Sequence, residues 1–238
     1  MKECSKSVMR RLNEPNFITR YFRGDSVDIG GAPDPLSMYV ELFPLISSVR
    51  VWDVKDGDAQ DMTGLADETF DFVHSSHCLE HIVDPEIGLR NWFRILKPGG
   101  HLVVTVPDED LYEQGIFPSE FNRDHKWTFT IYKEKSWSNK SINIFNLIIS
   151  LGDVVAVQKI QLLNNTYHYH YPIFDQTLTP VTESGIEIVL RKRSNTKKKG
   201  NIVVDKIKLG DPDDSGRRKP KIQENSEFNV KADIVIKA

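Results

Sequence analysis

VDIGGAPDP, residues 27–35, ends a short apolar run with an acid, two glycines, an alanine and two prolines. An apolar run that stops at glycine predicts a strand followed by a tight turn. Gly30 and Gly31 have no Cβ, so the backbone N–H groups of this turn can approach a ligand closely. The alternative interpretation is a plain turn between a strand and a helix, and the glycine pair alone does not separate the two.

Strands and helices alternate after this turn. The segments with clear periodicity are strands at 48–54, 70–76 and 101–107 and an amphipathic helix at 85–96. Such alternation predicts a parallel sheet with right-handed crossovers. Residues 153–163 and 185–193 also have strand character, and we expect them to close the sheet as an antiparallel pair.

The composition is that of an ordinary globular protein, with 39% hydrophobic and 27% charged residues. The net charge of −3 gives no support for a nucleic-acid partner. Cys4 and Cys78 do not make a disulfide framework, which favours a reducing compartment. No apolar run reaches the roughly 20 residues that span a bilayer, and no signal peptide is visible. A soluble cytoplasmic protein without a transmembrane segment is therefore expected.

Charge divides the chain into a body and a tail. Residues 194–238 hold eleven Lys or Arg against seven Asp or Glu, a net charge of +4, which leaves −7 for residues 1–193. The tail also contains two alternating segments, NIVVDKIKL and FNVKADIVIKA, which fit either two edge strands or a weakly structured tail. We therefore predict one domain over 1–193, with a substrate-side insert at about 108–180, and a charged tail over 194–238.

Acidic residues follow the second strand at a spacing typical of nucleotide binding. Asp53 comes 22 residues after Gly31, close to the ~20 residues that separate a glycine turn from a ribose-binding acid. Asp58 comes next and is placed to accept from an exocyclic amine. A dinucleotide fingerprint would need G-x-G-x-x-G, but Pro35 stands at the third glycine position. A nicotinamide cofactor therefore fits less well.

The ordered motifs over residues 24–112 resemble the class I S-adenosylmethionine-dependent methyltransferases, in particular their small-molecule, type 11-like members. VDIGGAPDP resembles the first motif, with Gly30 and Ala32 at its two glycine positions. VWD resembles the second motif, GDAQDM the adenine loop, and FDFVHSSHCLEHI the fourth-strand motif. LEHI followed by LKPGGHL is common in small-molecule members. The resemblance weakens towards residue 193 and does not reach the tail.

This resemblance implies an α/β fold, a Rossmann-like doubly wound, mostly parallel seven-stranded sheet with an antiparallel C-terminal hairpin. It implies S-adenosyl-L-methionine as the cofactor. Asp53 would bind the ribose hydroxyls, Asp58 would lie near the adenine amino group, and Ala59 would pack against the ring. The implied cofactor-binding residues are Asp28, Gly30, Gly31, Ala32, Asp53, Asp58, Ala59, Ser75, Ser76 and His77.

Methyl transfer to a hydroxyl benefits from a general base. The candidate catalytic residues are His125, Asp108 and Glu109, although each fits a solvated loop equally well. No metal site is expected. His77 and His81 lie four residues apart, but an H-E-x-x-H zinc motif needs Glu where Cys78 stands. A second pair, His168 and His170, shares one face of the chain if that segment is extended.

Polar and aromatic residues cluster in the second half of the chain and suit stacking on sugar rings: Trp127, Trp137, Tyr167, Tyr169 and Tyr171. This half is loosely similar to methyltransferase-like proteins of bacterial surface-polysaccharide biosynthesis. We therefore predict O-methylation of a sugar, sugar-nucleotide or polysaccharide acceptor, with a homo-oligomer possible. The alternative is a non-catalytic cofactor-binding or scaffold subunit of a methyltransferase complex.

Overall fold

The computed structural model describes residues 3–194 and four strands of the tail, at 200–204, 207–212, 218–222 and 228–232. The chain divides into two compact units, Met1–Arg193 and Ser194–Ala238.

The first unit is built on a six-stranded mixed sheet. Its strands in chain order are β1 (Gly24–Ile29), β2 (Ile46–Trp52), β3 (Phe70–Ser76), β4 (Leu96–Pro107), β5 (Thr128–Thr130), β6 (Ser141–Asn143), β7 (Val155–Leu163) and β8 (Gly185–Lys192). The main sheet has the order β2-β1-β3-β4-β8-β7. β1 to β4 pair in parallel, and β8 and β7 are antiparallel. β5 and β6 form a separate parallel pair. The predicted α/β fold with a parallel core and an antiparallel C-terminal hairpin is confirmed.

The main sheet has one strand fewer than the seven predicted. Residues 53–69, between β2 and β3, form turns without a helix or a strand. Parallel strands need a crossover of about a dozen residues or more, usually a helix, so this 17-residue connection has no room for a helix and a further strand. β2 is consequently an edge of the sheet, and FDFVHSS, which resembles the family's fourth-strand motif, forms the third strand of this chain.

Three α-helices lie among the described residues of the first unit: α1 (Glu3–Leu12), α2 (Pro85–Arg94) and α3 (Ile144–Ser150). α2 begins where predicted because the Asp84 side chain accepts hydrogen bonds from the Glu86 and Ile87 backbone N–H groups, at 3.0 and 3.1 Å. A 3₁₀ helix, Leu36–Leu42, lies between β1 and β2. None of the helices among the described residues has the length and apolar character needed to cross a membrane.

Both faces of the sheet are covered by apolar side chains. Phe72 and Val103 pack in one cluster with aromatic residues of the N-terminal segment, such as Phe17. Their chain neighbours Val73 and Val104 point to the opposite face and pack in a second cluster with residues of α2 and α3. Burial on both faces explains why residues 101–107 are almost continuously apolar.

An ion-pair cluster holds α1 on the sheet. Glu187 of β8 is fully buried and contacts Arg10 and Arg11 of α1 at 2.7 and 2.9 Å and Lys159 of β7 at 3.0 Å. Burial raises the pKa of Glu187, but the Arg11 and Arg10 guanidinium groups outweigh it and hold that pKa well below its usual range. Glu187 is therefore ionised, and it fixes α1 near the edge of the sheet where the strands end.

The second unit contains β9 (Gly200–Val204), β10 (Ile207–Pro212), β11 (Arg218–Ile222) and β12 (Phe228–Ala232). β9 pairs with β12 and β10 with β11, both antiparallel. The described residues of this unit thus contain four strands in two pairs.

Candidate functional site

Two cavities adjoin at the carboxyl ends of β1, β2 and β3. The smaller cavity has a volume of about 190 Å³ and the larger about 530 Å³, and Gly30 and His81 line both. Ligands of open α/β sheets bind at this edge. Of the ten residues implied as cofactor-binding, nine line one of these cavities and Ser75 does not.

The glycine turn after β1 packs closely against neighbouring side chains. Gly30 has a φ of +70°, and a Cβ on it would lie 2.8 Å from the Cβ of Cys78. A Cβ on Gly31 would lie 2.5 Å from Oδ2 of Asp28. Both distances are shorter than real Cβ contacts, so the turn requires glycine at these positions even before a ligand is considered.

Asp28, near the end of β1, fixes the glycine turn through buried hydrogen bonds. Its carboxylate is buried and lines the smaller cavity, Oδ2 accepts from the Leu36 N–H at 2.6 Å, and Oδ1 lies 2.6 Å from Nδ1 of His74. Arg11 donates to Nε2 of His74 at 3.0 Å. Because an arginine can only donate, His74 carries its proton on Nδ1 and donates it to Asp28.

The larger cavity combines apolar walls with carboxylates. Trp52, Ala59 and Ile82 are among its apolar lining residues. Asp53 lines it as well, accepting from the Ala32 N–H at 3.2 Å through Oδ2, and Asp58 accepts from the Gln60 N–H at 2.7 Å through Oδ1. An apolar slot with a few fixed polar groups fits a purine nucleoside.

Ser75 and Ser76 end β3 and His77 follows it, and the three side chains do not all point to the same place. The Ser75 hydroxyl is buried and donates to the Ile29 carbonyl at 3.0 Å, which directs it into the sheet. Ser76 and His77 line the smaller cavity, with the Ser76 Oγ 3.2 Å from Nδ1 of His77.

His125 is the one of the three predicted catalytic residues that lines a cavity. It is buried, and its Nδ1 lies 2.6 Å from Oε1 of Glu113, to which it donates. Its ring lies 5.0 Å from the His81 ring and 5.2 Å from the Tyr112 ring, measured between centroids. Since Nδ1 carries the proton, Nε2 is left with a free lone pair.

The two predicted catalytic acids line neither cavity. Asp108 caps the turn Glu109–Glu113, accepting from the Asp110 and Leu111 N–H groups at 3.0 and 3.1 Å, and burial raises its pKa to about 6. Glu109 is fully buried and accepts hydrogen bonds from four side chains, those of Thr128, Lys133, Ser136 and Ser141. Both carboxylates hold the segment after β4 together, and their catalytic role stays a prediction.

The N-terminal helix contributes residues that sequence reasoning missed. Glu3 and Cys4 of α1 line the smaller cavity, and burial raises the pKa of the Cys4 thiol to about 12. Asp34 of the glycine turn accepts from the Ser5 N–H at 2.8 Å and from the Tyr39 hydroxyl at 2.5 Å. No local pattern predicts the contact between Ser5 and Asp34, because it joins residues 29 positions apart.

Sequence reasoning also left Glu80 and Glu113 without a role. Glu80 lines the smaller cavity, and Glu113 contacts His125. Glu80 had one available signal, since it directly precedes His81 in the LEHI motif.

A mixed α/β sheet with a glycine turn, and with an apolar slot edged by carboxylates at the carboxyl ends of its strands, is an arrangement in which nucleotide cofactors bind. A family model described as a methyltransferase domain matches residues 44–104. The resemblance to the class I S-adenosylmethionine-dependent methyltransferases is thereby confirmed, and S-adenosylmethionine is the cofactor of this class.

Curated relatives match over a short segment. The ubiquinone/menaquinone biosynthesis C-methyltransferase UbiE of Vibrio vulnificus is 47% identical over 38 residues, which are 16% of this chain and 15% of that protein. UbiE of Vibrio campbellii matches with the same identity and coverage. The matched segment thus spans less than a fifth of these relatives.

Solved structures match over most of the first unit. A protein of Bacillus halodurans assigned as a methyltransferase has a TM-score of 0.50 at 13% identity, over 79% of this chain and 99% of that chain. A complex of the Haloferax volcanii Trm112 methyltransferase activator with its assigned methyltransferase has a TM-score of 0.48 at 15% identity, over 82% and 91% of the two chains. At 13% identity the Bacillus structure shows a common fold.

Proposed function

We propose that this protein transfers a methyl group from S-adenosylmethionine to a hydroxyl group of a polar acceptor. The pair of adjoining cavities carries the proposal. The larger has apolar walls and two carboxylates, Asp53 and Asp58, which suit an adenosine. The smaller is lined by polar side chains such as His77, Asn122 and His125, which suit the amino-acid part of the cofactor and a hydroxyl-bearing acceptor.

The residues of the larger cavity would hold the adenosine. Asp53 would accept from the ribose hydroxyls, Asp58 from the adenine amino group, and Ala59 would pack against the ring. In the smaller cavity, Gly31 and Ala32 would bring backbone close to the methionine part. When bound, the cofactor supplies an electrophilic methyl group on a sulfonium, so the protein needs little covalent machinery.

The protein's own contribution is alignment, water exclusion and proton transfer. Alignment of the acceptor with the methyl group is proximity catalysis. α1 forms part of the wall of the smaller cavity through Glu3 and Cys4, and it would help to exclude water from a bound substrate. Glu113 orients His125, whose Nε2 would accept the hydroxyl proton, a contribution of about 10²–10⁴-fold.

For the acceptor we propose a sugar, sugar-nucleotide or polysaccharide of surface-glycan biosynthesis, encountered in the cytoplasm. Aromatic rings stack well on sugar faces. Trp137, Tyr169 and Tyr171 expose 41%, 62% and 54% of their surface. Trp127, by contrast, is partly buried and donates to the Ile82 carbonyl at 3.0 Å, so its indole supports the fold.

The test is transfer of a labelled methyl group from the cofactor to a panel of nucleotide-sugars and oligosaccharides. We expect label on a sugar hydroxyl. His125→Ala should lower turnover and leave the affinity for S-adenosylhomocysteine unchanged, whereas His170→Ala, an exposed histidine, should change neither. Label that appears only on protein or RNA rejects the acceptor class. Cofactor binding without turnover on any acceptor supports the non-catalytic subunit instead.

A further inference from the structure

We propose that Glu80, His81 and His125 form a binding site for a divalent cation at the wall of the smaller cavity. One ligand atom from each residue lies within 4.8 Å of the other two. They come from two segments, Glu80 and His81 from the turn after β3 and His125 from the loop before β5, and all three line the cavity assigned to the acceptor. The catalytic part of this inference rests on the proposed function, whereas cation binding itself does not.

Glu80 is the strongest indication of a missing positive charge. Its side chain is 0% exposed, and neither carboxylate oxygen has a hydrogen-bond partner among the described residues. A buried carboxylate without donors is strongly unfavourable, so such groups are paired or coordinate metals. A cation in contact with Glu80 would satisfy both oxygens.

The two histidines are oriented as ligands. Nδ1 of His81 lies 3.2 Å from the Asp124 carbonyl oxygen, and Nδ1 of His125 lies 2.6 Å from the Glu113 carboxylate. Both Nδ1 atoms therefore donate, and both Nε2 atoms keep a free lone pair. Each Nε2 lies 4.0 Å from the same atom, Oε1 of Glu80. Two ring nitrogens and a carboxylate oxygen therefore lie within 4.8 Å of one another, an arrangement that favours a positive charge between them.

Glu113 completes the pattern that surrounds metal-binding histidines. Such a histidine usually donates its second ring nitrogen to a carboxylate or a backbone carbonyl, which fixes the ring and raises its basicity. Here Glu113 provides the carboxylate for His125 and Asp124 the carbonyl for His81.

The donor set indicates the class of cation. Two imidazole nitrogens and one carboxylate favour zinc or another first-row divalent transition metal over magnesium or calcium. Metal–ligand bonds of about 2.0–2.2 Å place tetrahedral ligands about 3.4 Å apart, so a small contraction of the site would complete it. Three protein ligands leave a position open, as in catalytic sites. The acceptor hydroxyl suits that position, because a bound cation makes it more acidic.

The cation and the general base would use the same nitrogen. When a cation is bound to Nε2 of His125, that atom is a ligand and no longer accepts a proton. The cation would then take over activation of the hydroxyl, and His125→Ala would lower turnover by removing a ligand. The alternative occupant is a proton shared between Glu80 and one imidazole, and the experiment below distinguishes the two.

The experiment measures metal uptake by chelator-treated, full-length protein. Zn²⁺ is titrated by calorimetry, and Co²⁺ by its visible absorption, which reports coordination number and ligand type. We expect one equivalent of either ion bound by nitrogen and oxygen ligands without thiolate. Glu80→Gln and His81→Ala should each weaken uptake by at least about tenfold, and Glu113→Ala by about 10–100-fold through loss of the hydrogen bond from Nδ1 of His125.

Controls separate this site from adventitious binding. The double variant His168→Ala/His170→Ala removes the other histidine pair and should bind Zn²⁺ as the wild type does. Circular dichroism and thermal melting establish that the Glu80→Gln protein is folded, and His81→Ala provides a second variant at a side chain that is 32% exposed. The proposal is overturned if the wild type takes up no metal, if Glu80→Gln binds it unchanged, or if only the His168/His170 variant loses it.

Titration of the same metal-free protein with S-adenosylhomocysteine separates the two proposals. Cofactor binding without metal uptake would overturn the cation site and leave the proposed function intact. Metal uptake without cofactor binding would do the reverse.

Discussion

Nδ1 of His74 donates to Oδ1 of Asp28 at 2.6 Å, and this buried contact joins β3 to the end of β1 directly under the glycine turn. Arg11 donates to the other nitrogen of His74 and pairs with Glu187 at 2.9 Å. A continuous series of buried polar contacts therefore runs from β8 through α1 to the glycine turn. Residues of α1 also line the smaller cavity. The position of α1 and the shape of the glycine turn are therefore coupled through these contacts.

Asp53 is expected to contribute directly to cofactor affinity. Asp53→Ala removes the acceptor for the ribose and for the Ala32 N–H, so it should weaken S-adenosylhomocysteine binding by about 1–3 kcal/mol in calorimetric titration. Asp61→Ala is the matched control, because Asp61 is an exposed acid of the same loop and lines neither cavity. Equal losses in both variants would indicate a general charge effect, and an unchanged affinity in Asp53→Ala would remove it from the ribose role.

Gly30 and Gly115 both have a left-handed backbone, with φ of +70° and +89°, but a Cβ on Gly115 would meet open space. Gly115→Ala should therefore cost only the backbone strain, about 1 kcal/mol of unfolding free energy. Gly30→Ala adds the contact with Cys78, so it should cost more and also weaken S-adenosylhomocysteine binding. Urea denaturation and calorimetry measure the two effects. If the Gly30 variant is no less stable than the Gly115 variant, the packing argument for the turn is wrong.

Glu187 is expected to be one of the costliest single positions in the first unit. Glu187→Gln leaves Arg10, Arg11 and Lys159 without their buried anion, and removal of one partner of a buried ion pair destabilises by about 3–5 kcal/mol. Glu86→Gln breaks only the surface pair with Arg90 and should stay within about 0.5 kcal/mol. Urea unfolding of the two variants checks this, and similar losses in both would contradict the assignment.

Asp108 should make stability fall as pH rises. Burial raises its pKa from 3.8 to about 6, so between these values the folded protein binds more protons than the unfolded protein. Its contribution therefore becomes less favourable from about pH 4 to pH 6, by up to about 3 kcal/mol. Asp108→Asn keeps an oxygen to cap the turn and removes the titration.

The difference in unfolding free energy between wild type and Asp108→Asn, measured in urea from pH 4 to pH 7, should shift in favour of the variant as pH rises. Burial lowers the pKa of His101 to about 4, so the contribution of His101 to stability rises with pH over an overlapping range. Wild type and variant both contain His101, so its contribution cancels in this difference. A difference that stays constant with pH would show that Asp108 does not titrate there.

Local patterns were sufficient for most of the sheet. Residues 70–76 form β3 as predicted, and the helix predicted at 85–96 occupies Pro85–Arg94, because alternation, a capping acid and a first-turn proline act within a few residues. The number of strands in the main sheet was harder to predict from the sequence. The missing seventh strand follows from the short connection 53–69, whose length matters only once β2 and β3 are known to pair with β1 in one sheet.

The sequence by itself determined the α/β class, the glycine turn and the acids that follow β2, because each is encoded in a short run of neighbouring residues. Only the tertiary structure decided which side chains meet: Arg11 with Glu187, Asp34 with Ser5, and Glu80 with His125. These contacts join residues tens to more than a hundred positions apart. Their formation depends on how the sheet and its loops pack, which no local pattern of residues specifies.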